Sequence, residues 1–266
     1  LPLNPALRER VPFGLRVGVR RAPHVVRDLL RPDVPRTQQI AAFQHSAAER
    51  RSPMRRQGTT YAPDTQAAKE HNVRRAADRL DRVVIEPGQE FSWHRTLGPP
   101  LRVNGFVPGP ELHGDTLAMG GGGGVCQAAN LVFWLAATSG MVFTARHRHG
   151  LDLFPDSNRT VPFGCGATVF YPHRDLRFTN PFPHAAALRL THDQGWLIGE
   201  LRMRRDPGVR FELVERDHRY ERRPDGVWRL NRIVRRRLPD GYEETLVHNA
   251  ARVTYPVPEQ EIQCCR

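Results

Sequence analysis

The stretch with the clearest chemical content is Gly120-Gly121-Gly122-Gly123-Gly124 followed by Val125-Cys126-Gln127. Each glycine loses a large backbone entropy on folding, so five in a row make sense only where a ligand or another backbone must come very close. A helix opening at Val125 puts Cys126 in its first turn, where unpaired amide N–H groups and the positive end of the helix dipole favour an anion. A thiolate is such an anion, so the position predicts a lowered thiol pKa and a reactive sulfur. The same N–H groups can stabilise the oxyanion formed when a thiolate attacks a carbonyl. A nucleophilic thiol needs a base, and Arg146-His147-Arg148-His149 follows a predicted strand. His147 and His149 point the same way if that strand continues, so one can reach the thiol. Asp152 can orient that imidazole, completing a Cys-His-Asp arrangement.

Three other chemistries compete for the same residues. A cysteine on an apolar helix is often a small core residue. A glycine-rich turn opening a helix binds phosphate in other proteins, but this one lacks both the Gly-Lys-Ser/Thr ending of a P-loop and the spaced glycines of a dinucleotide fold. Cys126 with the two histidines can also be read as a metal-ligand set, although no zinc-type spacing supports it and no metal or cofactor is expected.

The elements that must hold these groups follow from periodicity. Asp64 or Thr65 can cap a helix running to about Val84, with Ala68, Val73, Ala76, Leu80 and Val83 on its apolar face. Pro87-Gly88 marks a turn, Glu90 to Trp93 looks extended, and the Gly/Pro-rich stretch from Thr96 to Gly114 reads as loop. Val125, Ala129, Val132, Phe133 and Ala136 give a second helix to Ser139, which Gly140 stops. Short β-like runs occupy Met141 to Ala145, Ala167 to Tyr171 and Leu176 to Phe178. Period-two alternation then covers Ala186 to Leu190, Trp196 to Met203, Val209 to Val214 and Val227 to Val234. Asp193-Gln194-Gly195, Asp206-Pro207-Gly208, Pro224-Asp225-Gly226 and Pro239-Asp240-Gly241 separate the strands. The expected fold is α+β: an N-terminal helical arm, a helix with its Gly-rich loop, and a C-terminal, mostly antiparallel sheet.

At 266 residues the chain is long enough to bury a core without disulfides or metal. Net charge is +12, and Lys69 is the only lysine among 40 basic residues. Residues 1–57 form a basic Arg/Pro-rich arm, within which Val25 to Leu30 and Thr37 to Ala48 can be helical, and 58–266 the main domain. Within the main domain, 58–180 bears the motifs and 181–266 is β-rich. The arm reads first as a solvated surface; it would also suit an acidic polymer or anionic surface, but no aromatics interleave its arginines, which argues against nucleic acid. No apolar run is long enough for a transmembrane helix. No export signal is recognisable at the start, which favours a cytoplasmic location. A reduced compartment is expected for the thiols; Cys264 and Cys265, next to the C-terminus, read as incidental, and nothing in the sequence fixes a role for Cys165. Nothing in the sequence fixes the oligomeric state.

The ordered motifs carry a resemblance. Pro87-Gly88-Gln89-Glu90-Phe91-Ser92, Gly122-Gly123-Gly124-Val125-Cys126-Gln127 and Arg146-His147-Arg148-His149 come first. Asp152-Leu153-Phe154-Pro155-Asp156, Pro162 to Val169, and Asp175-Leu176-Arg177-Phe178-Thr179-Asn180 follow, with Arg229-Leu230-Asn231-Arg232 beyond them. Together they resemble the VanW-like family over about Tyr61 to Tyr255. That resemblance implies a link to glycopeptide resistance and an activity like the L,D-transpeptidases that cross-link peptidoglycan. It implies Cys126 as nucleophile and His149 as base. It implies Gly122, Gly123, Gly124, Gln127 and Thr168 as contacts for a peptidoglycan peptide or another small acyl ligand. A cell-envelope location would follow from wall cross-linking, and a non-catalytic ligand-binding accessory role is the alternative. The chain departs from many multidomain relatives at Gly166, where they carry an aspartate.

Overall fold

A computed structural model describes Pro23, Val26 and residues 34–55, 62–113, 116–148, 150–152, 155 and 161–264. In chain order the elements are β1 (His45–Pro53), α1 (Pro63–Leu80), β2 (Val84–Ile85), β3 (Glu90–Ser92), α2 (Trp93–Leu97), β4 (Pro108–His113), β5 (Thr116–Gly121) and α3 (Cys126–Thr138). They continue with β6 (Val142–Ala145), β7 (Leu151–Asp152), β8 (Arg177–Thr179), β9 (Ala186–Asp193), β10 (Trp196–Met203), β11 (Arg210–Arg223), β12 (Gly226–Leu238), β13 (Glu243–Val253) and β14 (Ile262–Cys264). The fold is α+β, with mostly antiparallel pairing. Of the expected arm, residues 34–55 are described together with Pro23 and Val26, and Val25 to Leu30 lies outside the described residues except for Val26.

Helix α1 starts at Pro63, whose fixed φ suits a first helical position where no N–H bond is needed. Val73, Ala76, Ala77 and Leu80 are fully buried at spacings of three and four. The helix ends at Leu80 rather than near Val84 because Asp81 turns extended and Arg82 takes a φ of 61°. The β-branched Val84–Ile85 then pairs with Ala186–Ala187 of β9, a setting such residues prefer.

Helix α3 is buried nearly all round, through Ala128, Ala129, Leu131, Val132, Phe133, Leu135, Ala136 and Ala137. It packs on β1, β10, β11 and α1. Close approach to β10 is possible because Gly199 has no side chain: a Cβ there would sit 2.8 Å from Leu135 and 2.9 Å from Leu131. Full burial of each large aliphatic side chain contributes about 1.5–3 kcal/mol, so this helix is the centre of the core. Gly140, at φ 89°, ends it as expected, and the Met141 N–H returns to the Ala136 carbonyl.

Four strands in the order β1-β10-β9-β2 form the sheet under α3. Gln194 and Gly195 both have positive φ, the backbone a two-residue hairpin turn between β9 and β10 requires. The segment Thr37 to Ala48 is not a helix. One 3-10 turn covers Ile40–Ala42, and from His45 the chain runs antiparallel to β10. A second sheet has the order β14-β11-β12-β13-β7, and β3-β8-β6 form a third. The Thr96 to Gly114 stretch is not all loop, because β4 pairs with β5 in a ribbon. Ala167 to Tyr171 forms no strand beyond a bridge between Phe170 and Arg174.

Candidate functional site

Several motifs separated in sequence meet in space. Ser92 and Arg177 side chains and the His94 backbone N–H all donate to the Asp175 carboxylate, at 2.7, 2.7 and 2.9 Å. This ties the Glu90-Phe91-Ser92 segment to Asp175-Leu176-Arg177-Phe178, which pair as β3 and β8. Asn180 is fully buried and donates to the carbonyls of Ile85 and His184. Asn231 donates to the Phe163 carbonyl and accepts from Asn249.

Cys126 is the first residue of α3 and packs, partly buried, against the core. Its thiol donates to the Val169 carbonyl at 3.5 Å. The lowered pKa expected from the helix terminus is not what the structure gives. Burial pushes the Cys126 thiol up, and the nearby Glu111 carboxylate adds to that. Backbone hydrogen bonding at Val169 and Cys126 itself, and the charge of Arg174, pull the other way without reversing it. The physical reason is that desolvation of the charged form outweighs the field of the helix terminus.

The glycine run is explained by the chain's own close approaches. A Cβ on Gly120 would strike the Glu111 carboxylate at 2.0 Å, one on Gly122 the Pro100 side chain at 2.5 Å, and one on Gly124 the Lys69 side chain at 2.6 Å. Gly123 lies against the backbone of Gly109. Asn72, fully buried on α1, donates to the carbonyls of Val107 and Gly123 and accepts from the Val107 N–H. One side chain therefore clamps the ribbon β4–β5 and the turn before Cys126 together. Gln127, the next residue of α3, reaches β1 by donating to Ser52 Oγ at 2.9 Å and to the Pro53 carbonyl at 2.6 Å. Its Oε1 is buried without a hydrogen-bond partner among the described residues.

The 146–148 segment runs beside the 164–169 segment. The Arg146 guanidinium donates to the carbonyls of Gly164 at 2.6 Å and Gly166 at 2.8 Å, and sits over the Phe133 ring. Burial pushes the Arg146 pKa down to about 10. The His147 carbonyl accepts from the Thr168 N–H at 2.9 Å. Thr168 is buried and adjoins Val169, the acceptor of the Cys126 thiol. The Cys126 thiol and the His147 carbonyl thus both bond to the Thr168–Val169 backbone. His149 lies outside the described residues. Asp152 is engaged elsewhere: its carboxylate accepts from Arg229 at 3.3 Å and from the Tyr255 hydroxyl at 2.7 Å. Arg229 is 1 % exposed and lies over the Phe163 ring. Burial pushes the Tyr255 hydroxyl pKa up, with Tyr220 and Asp152 adding to it.

Three residues near the site were not singled out from the sequence. Glu111 and Arg174 set the charge around the thiol. Glu111 was hidden in a Gly/Pro-rich stretch that reads as loop, and Arg174 in a turn. His94, buried on α2, stands edge-on to Tyr171 at 5.3 Å between ring centroids. Its signal was the unbroken Glu90 to His94 run, with Ser92 capping α2 by accepting from the Arg95 N–H.

Comparison with known proteins follows the same residues. The family described as VanW like protein matches residues 68–202. The vancomycin B-type resistance protein VanW of Enterococcus faecalis is 26 % identical over 199 residues, 73 % of this chain and 72 % of that protein. The uncharacterized protein YoaR of Bacillus subtilis is 28 % identical over 145 residues, 53 % of this chain and 45 % of YoaR, so the match spans under half of that relative. No solved structure matches. Among the described residues no helix is long and apolar enough to cross a membrane.

Proposed function

The chain belongs to the VanW-like family, and from that premise we propose that it is a cysteine-dependent acyl-transfer protein acting on peptidoglycan peptides in glycopeptide resistance. The observation that carries this reading is the contact between the Cys126 thiol and Val169, on the stretch that also binds the His147 segment. In the proposed reaction the thiol loses its proton to an imidazole, with His149 as the first candidate and His147 as the second. The sulfur attacks a peptide carbonyl, and the peptide C–N bond breaks. The leaving amine takes the proton, giving a thioester, and a second amine or water then attacks it and regenerates the thiol. Gly122, Gly123, Gly124, Gln127 and Thr168 line the approach in this reading. Asp152, held by Arg229 and Tyr255, is assigned to the scaffold.

A raised thiol pKa fits an enzyme only if substrate or a neighbouring base draws the proton off at the moment of attack. The same observation favours the second reading, a non-catalytic accessory that binds a peptide in envelope physiology. One experiment separates them. Wild-type protein and Cys126→Ala are incubated with muropeptides, and separately with an electrophilic thiol probe, and analysed by mass spectrometry. The enzyme reading expects a Cys126 acyl adduct or cross-linked product, absent in Cys126→Ala. Binding of muropeptide without either product selects the accessory role.

A further inference from the structure

Between β6 and β13 lies a cavity of ≈ 530 Å³ lined by Arg146, His147, Arg148, Arg174, His248 and a short apolar wall including Leu246 and Val247. That size suits a small molecule rather than a single ion. None of its lining residues is acidic. Arg148 and Arg174 are exposed and have no ion pair among the described residues. Arg146 is held in place by the Gly164 and Gly166 carbonyls, and it feels the unfavourable charge of Arg148. Cations are therefore crowded here without carboxylates to offset them, an arrangement that a ligand anion would relieve. Planar guanidinium groups match a carboxylate through paired N–H···O bonds. Two of its lining residues link the cavity to the thiol: the charge of Arg174 acts on Cys126, and the His147 backbone is bonded to the Thr168–Val169 stretch, whose Val169 carbonyl accepts from the thiol.

We propose that Arg148 and Arg174 bind the free carboxylate of a short peptide in this cavity, with its apolar side chains against Leu246 and Val247. This deepens the acyl-transfer reading and rests on it for orientation, since a carboxylate seated there places a neighbouring peptide carbonyl toward Cys126.

The test uses the Cys126→Ala full chain, so that binding is read without turnover. An N-acetylated tetrapeptide with a free C-terminal carboxylate, the same peptide as its C-terminal amide, and inorganic phosphate are titrated by calorimetry. The acid is expected to bind about tenfold or more tighter than the amide, and phosphate to compete with it. Arg148→Ala and Arg174→Ala together are expected to weaken the acid by about tenfold or more and to leave the amide unchanged. Arg210→Ala on β11 is the charge control. Equal binding of acid and amide, equal loss in the control, or phosphate binding with no peptide binding would overturn the proposal. The amide arm needs no arginine substitution, so a folding defect cannot mimic the result. Wild-type thiol labelling is a separate measurement, so failure of the catalytic reading is told apart from failure of this one.

Discussion

Gly109 and Gly123 meet backbone to backbone: a Cβ on Gly109 would lie 2.5 Å from the Gly123 carbonyl oxygen, and one on Gly123 would lie 2.1 Å from the carbonyl of Gly109. No side chain fits on either residue unless the ribbon β4–β5 moves off the turn before Cys126. Gly123→Ala is expected to cost about 1–3 kcal/mol. Urea unfolding of the variant against wild type measures it, and an unchanged midpoint would show that this contact does not hold the turn.

Asn72 makes three hydrogen bonds from a fully buried position. Asn72→Ala leaves the Val107 N–H without its acceptor and the Gly123 carbonyl without its Asn72 donor, while the Val107 carbonyl keeps the Gly122 N–H; each of the two unpaired groups is a loss of about 1–3 kcal/mol if water does not enter. We expect a total of about 2–4 kcal/mol, the lower part of that sum because the vacated volume can admit water. Amide hydrogen exchange at Val107 should accelerate in the variant while α3 stays protected. Uniform exchange changes across the molecule would contradict a local clamp.

The buried pair of Arg229 and Asp152 ties β12 to β7. Arg229→Met leaves the Asp152 carboxylate buried beside Tyr255 without its cation, at an expected cost of about 3–5 kcal/mol. Adding Asp152→Asn should recover part of that loss, because the stranded charge is then gone. Equilibrium unfolding of the two single variants and the double variant forms the cycle that reads this coupling.

Cys126 predicts a pH dependence with a defined sign. Its folded-state thiol pKa is raised by burial, so the folded protein keeps the proton where the unfolded chain, near the ordinary thiol value of about 8.5, has begun to lose it. The stability this contributes is complete below that value and is lost as pH rises through the folded-state pKa. Wild type should therefore lose stability between neutral and alkaline pH more steeply than Cys126→Ala. Alkylation of Cys126 in the folded protein should also have its midpoint above that of a free thiol. Labelling that is already complete at neutral pH would contradict the burial of the sulfur.

The core helix and the β9–β10 hairpin were legible because their signals are local. The apolar run after Val125 has no competing interpretation, and Trp196–Met203 alternates over its full observed length. The ribbon β4–β5 was not legible, since Pro108-Gly109-Pro110 and Gly120-Gly121 have the composition of turns. They form strands because two glycine-bearing backbones can lie flush. Of the expected site residues, Cys126 and His147 both bond to the Thr168–Val169 backbone, a proximity that local patterns do not encode. The raised thiol pKa is not legible because the burial that causes it comes from tertiary packing; even the acceptor of the thiol, the Val169 carbonyl, is 43 residues away. The engagement of Asp152 with Tyr255 spans 103 residues and leaves no mark in local sequence.

The bond from Arg146 to Asn249 also crosses 103 residues. It has a consequence for a chain leaving the ribosome. Glycine turn, cysteine and histidine segment all emerge before the strand β13 that walls the arginine-lined hollow, so the nascent polypeptide carries its sulfur through about half of synthesis before that hollow can form. Recognition would switch on only with the last hairpin, and a product stopped short of β13 would display the thiol yet lack selectivity.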